Sequence, residues 1–142
     1  MAITKINGGV TAPKGFLASG LNAGIKNQTK KDMAMVFSST PCAAAGVFTT
    51  NLVKAAPVKW DKEIVTTSPY VQAVVVNSGI ANACTGAEGL GYCADTAAEA
   101  AAALNIPNTA VLVASTGVIG KQLPIDKIKS GVTALSKVLG SS

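Results

Sequence analysis

The pattern of apolar and polar positions along the chain predicts four β-strands. Short apolar runs that are rich in β-branched residues are typical of buried strands. They occur near residues 33–38, 46–50, 71–76 and 111–115. The first 31 residues, rich in Gly, Lys and Asn, predict only short strands and loops. Residues 51–58 could begin a helix that Pro57 would limit, and the polar stretch from Trp60 to Ser68 predicts a surface connection.

Two later segments carry the periodicity of helices. Residues 90–104 are rich in Ala, the strongest helix former, and Pro107 ends the segment. Pro124 opens a second helix near residues 125–139, whose apolar residues recur at helical spacing. The order strand, loop, helix therefore occurs twice after residue 70. This order predicts one α/β domain over residues 1–142, with helices layered on a sheet.

Composition narrows the class of protein. The chain has 142 residues, of which 49% are hydrophobic and only 13% are charged, so it can bury a globular core. The low charge suggests that another chain or a further segment covers part of the surface. The apolar stretches are too short to span a membrane, and the N-terminus has no apolar signal core. We therefore expect a cytoplasmic protein that does not bind membranes.

The net charge of +5 does not indicate a nucleic-acid surface. Basic residues are scattered, and the densest group consists of Lys26, Lys30 and Lys31. A nucleic-acid surface would combine a basic stripe with stacking rings, whereas aromatic residues make up only 4% of this chain. Small anionic substrates remain compatible with the charge.

The residues available for chemistry are restricted. The chain has no His, and Cys42, Cys84 and Cys93 form no Cys-x-x-Cys pair, so a zinc site has too few ligands. A catalytic cysteine would have no His to activate it. We expect neither a metal nor a bound cofactor. Chemistry here must use hydroxyls, amines, carboxylates or backbone groups.

Two loops follow strands and combine small residues with polar side chains. Ser115, Thr116 and Gly117 end one strand, and a hydroxyl beside an approachable backbone N–H can hold an oxyanion. The loop that follows Asn77 includes Asn82 and could bring amides to a ligand. Taken alone, both loops are better interpreted as ordinary turns that satisfy their own polar groups. If the two strands are parallel neighbours, the loops lie side by side.

Six motifs in order resemble the ornithine acetyltransferase family, also called the glutamate N-acetyltransferase or ArgJ family. They lie at Val10–Phe16, Gly24–Lys26, Gly46–Asn51, Ala55–Val58, Val74–Gly86 and Ser115–Gly120. The resemblance implies an ArgJ/DmpA-like α/β sandwich in which Thr116 and Gly117 form the oxyanion hole. Asn77, Asn82 and Ser115 are weaker candidates for substrate contacts. One departure is Ile80, where the family pattern usually has a polar residue, often Asn.

The resemblance also implies partners and substrates. Family members cleave their precursor before a threonine, which then becomes the N-terminal nucleophile of a second chain. That threonine moves acetyl from N-acetylornithine to glutamate in arginine biosynthesis, and some members accept acetyl-CoA. The nucleophile motif has no counterpart here. We therefore expect an N-terminal α-chain portion that is inactive alone and pairs with a complementary β chain, in a heterotetramer of two α and two β chains.

Other functions remain open at this stage. The resemblance is also compatible with an N-terminal-nucleophile amidohydrolase or an acyltransferase of specialised metabolism. A non-catalytic interaction domain would leave Thr116 replaceable. A nucleotide-binding module is a further class, although the loop after Asn77 has neither a P-loop nor a Gly-x-Gly-x-x-Gly pattern.

Overall fold

The computed structural model describes residues 3–27 and 29–141 and shows a four-stranded sheet with three α-helices on one of its faces. The bounds of the elements in chain order are β1 Phe16–Leu21, β2 Met33–Cys42, α1 Ala56–Thr67, β3 Val71–Ile80, α2 Gly86–Leu104, a 3₁₀ turn Asn108–Ala110, β4 Val111–Val118 and α3 Ile125–Ser136. The predicted α/β class, with helices layered on a sheet, is confirmed. No helix in the described parts of the chain is long and apolar enough to cross a membrane.

The strands lie in the order β1-β2-β3-β4. The pairs β1–β2 and β2–β3 are antiparallel, whereas β3 and β4 are parallel and are joined by α2. A parallel pair needs a long crossover, and the helix predicted between residues 90 and 104 supplies it. The parallel pairing places the ends of β3 and β4 at the same edge of the sheet.

The core lies between the sheet and its helices. Alternate residues along the strands are buried, as expected when one face of a strand is covered. Met35, Val75 and Val111 pack from the sheet against Val132 and Leu135 of α3. Fully burying such a side chain contributes about 1.5–3 kcal/mol each, so this face accounts for much of the stability.

The opposite face of the sheet is apolar but uncovered among the described residues. The strand register aligns Ala18, Val36, Val74 and Leu112 in one row across all four strands. All four are only partly buried, because the helices contact the other face. A sheet that is apolar on both faces usually has a layer on each.

The structure corrects two predictions between residues 43 and 67. The strand expected at residues 46–50 is absent, and the segment 43–55 is irregular, with Val47 fully exposed. Its apolar pattern was typical of a strand, but no described strand pairs with it. The stretch from Trp60 is not a surface connection but part of α1. Pro57 lies in the first turn of α1, where its missing N–H has no intrahelical acceptor and costs no hydrogen bond.

Candidate active site

The two polar loops meet at the ends of β3 and β4, as the sequence predicted for parallel neighbours. The register pairs Ser78 with Thr116 and Gly79 with Gly117. The pairing of β3 with β4 therefore fixes the backbone at both strand ends.

Two glycines allow the chains to approach closely at this point. Gly117 has a φ of +136°, and a Cβ atom there would lie 2.2 Å from the carbonyl carbon of Gly79. Gly79 has a φ of +114°, and its own Cβ atom would lie 2.7 Å from Cγ of Lys26. At both positions φ is positive and a Cβ atom would clash with a neighbouring residue. Any residue other than glycine would therefore displace its neighbours.

The exposed edge of β4 is covered at one end only. Because β4 is the outermost strand, every second peptide group points away from β3. At its beginning, the indole N–H of Trp60 donates to the carbonyl of Val111 (3.1 Å), and the N–H of Val113 donates to Oδ1 of Asp61 (3.0 Å). The same alternation points the N–H of Gly117 away from β3, at the part of the edge beyond α1.

Thr116 is exposed beside this backbone group. Its hydroxyl forms no hydrogen bond with any other residue in the ranges 3–27 and 29–141. The pair therefore offers a hydroxyl and, one residue later, an outward backbone N–H. Two such donors fixed by a strand are the arrangement that stabilises a developing oxyanion.

Ser115 and Asn77 brace the two strand ends. The hydroxyl of Ser115 donates to Oδ1 of Asn77 at 2.5 Å, and Nδ2 of Asn77 donates to the carbonyl of Ile80 at 3.0 Å. Asn77 is only 4% exposed. These bonds favour a structural role, in which the two side chains hold the loops that carry Thr116 and Gly117. Whether either one contacts substrate stays a prediction.

Asn82 lies behind the site at the start of α2. It is 2% exposed; its Nδ2 donates to the carbonyl of Gly89 at 2.8 Å, and its Oδ1 accepts from the Thr85 hydroxyl at 2.7 Å. The amide thus satisfies buried polar groups around the first turn of α2. A substrate contact by Asn82 remains a prediction that this geometry does not favour.

In the described part of the chain, no cysteine lines the groove in front of Thr116 and Gly117, and the buried Cys93 is not a reactive thiol. Cys93 is 2% exposed, and its burial, together with the nearby charge of Asp61, raises the pKa of the thiol to about 12. A thiol with that pKa stays protonated at neutral pH and is a poor nucleophile. Within the described ranges, no group of three or more Cys, Asp or Glu side chains could hold a metal ion.

A groove of about 760 Å³ opens in front of Thr116 and Gly117. The ends of β3 and β4 form one wall, and Ile25, Lys26, Asn27 and Lys30 form the other. The charged residues that line it are Lys26, Lys30 and Lys121. The sequence identified the Lys26 group as basic but could not place it here, because the contact with the loop after Gly117 is tertiary.

A buried carboxylate fixes this second wall. Asp32 is 3% exposed and accepts hydrogen bonds from the backbone N–H groups of Ala23 (2.6 Å), Ile25 (2.6 Å) and Lys26 (3.0 Å). Burial by itself raises the pKa of Asp32, but the backbone donors outweigh it and leave the pKa below its ordinary value. The charged carboxylate therefore holds the loop in place beside Gly79.

Comparisons with known proteins identify the family. A model described as the ArgJ family matches residues 17–141. The chain belongs to the ArgJ family. It is 51% identical over 128 residues to the arginine biosynthesis bifunctional protein ArgJ of Thermotoga neapolitana, covering 89% of this chain and 32% of that protein. It is 53% identical to the protein of the same name from Symbiobacterium thermophilum, covering 93% of this chain and 33% of that protein.

Solved structures of ArgJ-type proteins share the fold. An ornithine acetyltransferase from Mycobacterium tuberculosis, crystallised with ornithine, matches with a TM-score of 0.89 and 47% identity over 94% of this chain and 72% of that chain. The bifunctional protein ArgJ from Bacillus halodurans matches with a TM-score of 0.84 and 44% identity, over 89% of this chain and 65% of that chain. The ArgJ-like fold is thus shown, although the chain spans only about a third of the length of its curated relatives.

Proposed function

We propose that this chain is part of an acetyltransferase of arginine biosynthesis that moves acetyl from N-acetylornithine to glutamate. Its own contribution is an oxyanion hole formed by the Thr116 hydroxyl and the Gly117 backbone N–H. The names of its ArgJ relatives and of the ornithine acetyltransferase structure support the reaction class. Acetyl-CoA is a further candidate donor.

The observation that carries this proposal is the exposed Thr116 hydroxyl at the open end of β4, which has no hydrogen-bond partner among the described residues and lies next to the outward N–H of Gly117. Attack on an amide carbonyl creates an alkoxide, whose negative charge must be stabilised in the transition state. The Thr116 hydroxyl is exposed, and the strand alternation directs the Gly117 N–H outward beside it. Because Gly117 has no side chain, an oxygen atom can approach its N–H closely.

The nucleophile in this proposal comes from a complementary β chain of the same precursor. An N-terminal threonine can use its own amine as the base, so a chain without His is compatible with the chemistry. The apolar sheet face around Val36 and Val74 supports an additional layer. So do Val47 and Leu52, which are 101% and 97% exposed in the irregular segment. A heterotetramer of two α and two β chains is our working assembly.

Replacement of Thr116 in the complete enzyme tests the proposal. Thr116→Ala removes one oxyanion donor, which typically lowers turnover by about a hundredfold to a thousandfold, or roughly 3–4 kcal/mol. We expect kcat to fall by this amount while KM for N-acetylornithine changes little, because the donor matters most in the transition state. Steady-state assays of acetyl transfer to glutamate measure both constants.

Two further variants make this result specific. Thr116→Ser keeps the hydroxyl and should lose less activity than the alanine variant. Thr67→Ala removes an exposed threonine at the end of α1, far from the groove, and serves as the matched control. A near-normal kcat for Thr116→Ala would show that this position is structural and would leave an interaction domain as the better function.

The proposal also predicts that the 142-residue chain has no acetyltransferase activity by itself. The reason is that its nucleophile lies on the complementary chain. Purified chain, assayed alone with N-acetylornithine and glutamate, should give no turnover above background, and added β chain should restore it. Turnover by the isolated chain would contradict the division of the site between two chains. Acetate released without glutamate in the complete assembly would instead indicate an amidohydrolase.

A further inference from the structure

The three lysines that line the groove give it a strongly positive wall. Lys26, Lys30 and Lys121 come from two loops that are distant in sequence, and no Asp or Glu lines the groove within the described ranges. The charged carboxylate of the nearby Asp32 lowers this positive potential, but it is buried, accepts three backbone N–H groups and forms no ion pair with these lysines in the described ranges. The positive charge is therefore available to a ligand.

Hydrogen bonds anchor the backbone near two of these lysines, Lys26 and Lys30. Nδ2 of Asn22 donates to the carbonyl of Asn27 (2.6 Å) and to that of Lys30 (2.8 Å), which ties the two sides of the loop together. Oδ1 of Asn27 accepts from the backbone N–H of Lys30 at 3.1 Å. With the Asp32 contacts, these bonds fix the backbone at both lysines before a ligand arrives, which lowers the entropy cost of binding.

We propose that these lysines form a phosphate-binding site beside the oxyanion hole. Glutamate carries two separate carboxylates with one negative charge each, whereas phosphate esters and diphosphates concentrate several negative charges on neighbouring oxygens and match three ammonium groups better. A groove of about 760 Å³ also has the size of a site for a small molecule larger than an amino acid. The phosphates belong either to a phosphorylated acyl carrier, which presents its acyl group to Thr116, or to a free nucleotide.

The position of the groove relates this site to acyl transfer. The side chain of Lys26 lies against Gly79, since a Cβ atom at Gly79 would be 2.7 Å from Cγ of Lys26. Gly79 in turn pairs with Gly117. A ligand that bridges the lysine wall and the strand ends therefore reaches the two oxyanion donors. This part of the inference rests on the proposed function, whereas phosphate binding itself can be measured without any reaction.

Equilibrium binding to the complete enzyme tests the site. Isothermal titration calorimetry would use coenzyme A and ATP as phosphate-bearing probes, with pantetheine as a probe that lacks phosphate. The test variant combines Lys26→Gln, Lys30→Gln and Lys121→Gln, which removes the charges and keeps the length of the side chains. Loss of one exposed charge pair typically weakens binding by roughly two- to fivefold. The combined variant should therefore weaken binding of coenzyme A or ATP by about tenfold or more. Binding of pantetheine should be unchanged.

Controls separate this effect from damage to the fold. Lys62→Gln removes an exposed charge on α1, which does not line the groove, and should bind like the parent. Arginine at all three positions should restore binding of the phosphate-bearing probes. Raising the salt concentration should weaken their binding in the parent far more than in the variant, because salt screens exposed charges.

Kinetics distinguish the two sources of phosphate. If the ligand is an acyl carrier, the combined variant raises KM for acetyl-CoA and leaves KM for N-acetylornithine unchanged. If the ligand is a free nucleotide, ATP binding is lost while both KM values stay the same. Either result supports the site. Equal binding of coenzyme A and ATP by parent and variant, or no binding by the parent, would overturn it. The Thr116→Ala assay decides the proposed function separately.

Discussion

The two halves of β4 differ in what covers their edge. At Val111 and Val113, the side chains of Trp60 and Asp61 satisfy the outward backbone groups, and both valines are buried. From Thr116 onward, the strand is exposed and extends beyond α1. The strand is continuous, and its pairing with β3 is unbroken through both halves. Only the neighbours on the outer edge change.

This difference separates a structural half from a half that can bind a ligand. An uncovered strand edge presents unpaired N–H groups, and proteins usually cover such edges. Here α1 covers the edge of the half that belongs to the core, and the edge of the half that faces the groove stays uncovered in the described residues. The rigid, buried half holds the open half in position, which is the requirement for fixed oxyanion donors.

The largest effect is expected in the open half, at Gly117. Gly117→Ala would place a Cβ atom 2.2 Å from the backbone of Gly79, in addition to strain at a φ of +136°. The strain alone costs about 1–3 kcal/mol, and the clash must also push the two strands apart. We expect acetyl transfer to fall by more than a hundredfold, with a lower melting temperature.

Gly120→Ala is the matched control for this substitution. Gly120 also has a positive φ, of +91°, but a Cβ atom there would meet nothing within 4 Å. It should therefore show the cost of backbone strain without the clash, and a smaller loss of activity. Equal losses at both glycines would mean that the close approach to Gly79 is unimportant.

An intermediate effect is expected in the covered half. Trp60→Phe removes the indole N–H that satisfies the Val111 carbonyl, and a lost or unsatisfied hydrogen bond of this kind costs about 1–3 kcal/mol. Urea unfolding should show this loss of stability, while kcat of the folded enzyme stays near the parental value. A large drop in kcat with unchanged stability would show that the two halves are not separable.

The last effect concerns the charge of Asp61 and depends on pH. Burial raises the pKa of Asp61 to about 6, although the Val113 N–H partly opposes this shift, whereas the ordinary value is 3.8. The folded protein therefore retains a proton that the unfolded chain has lost, and stability falls as pH rises from about 4 to about 6. It is not restored at higher pH.

Asp61→Asn should remove this pH dependence because it keeps an oxygen acceptor for Val113 and cannot ionise. The variant should unfold at a higher urea concentration than the parent at pH 7, with the difference disappearing near pH 4. Glu63→Gln, an exposed position on the same helix, is the control and should change neither value much. A difference that grows toward low pH would contradict the assigned direction.

Sequence patterns predicted most of the regular elements because periodicity reports which face is buried. The runs that became β3 and β4, the alanine-rich α2 and the apolar stripe of α3 all appear, and the parallel pairing follows from their order. The strands extend further than predicted, to Ile80 and Val118, because residues beyond the apolar runs continue the ladder.

What sequence could not supply depends on tertiary contacts. The pattern at Trp60 and Asp61 looked like a polar surface, yet those side chains turn inward to satisfy the edge of β4. The segment around Val47 looked like a strand but finds no partner in the described residues. Asp32 gave no local signal, since its role depends on backbone groups that the loop brings to it.

The most direct test of the central claim is a crystal structure of the complete enzyme with an acetyl group trapped on its nucleophile. The carbonyl oxygen of that acetyl group should lie about 2.7–3.1 Å from both Oγ1 of Thr116 and the backbone nitrogen of Gly117. An oxygen that points away from this pair and is held by other donors would contradict the assignment of the oxyanion hole.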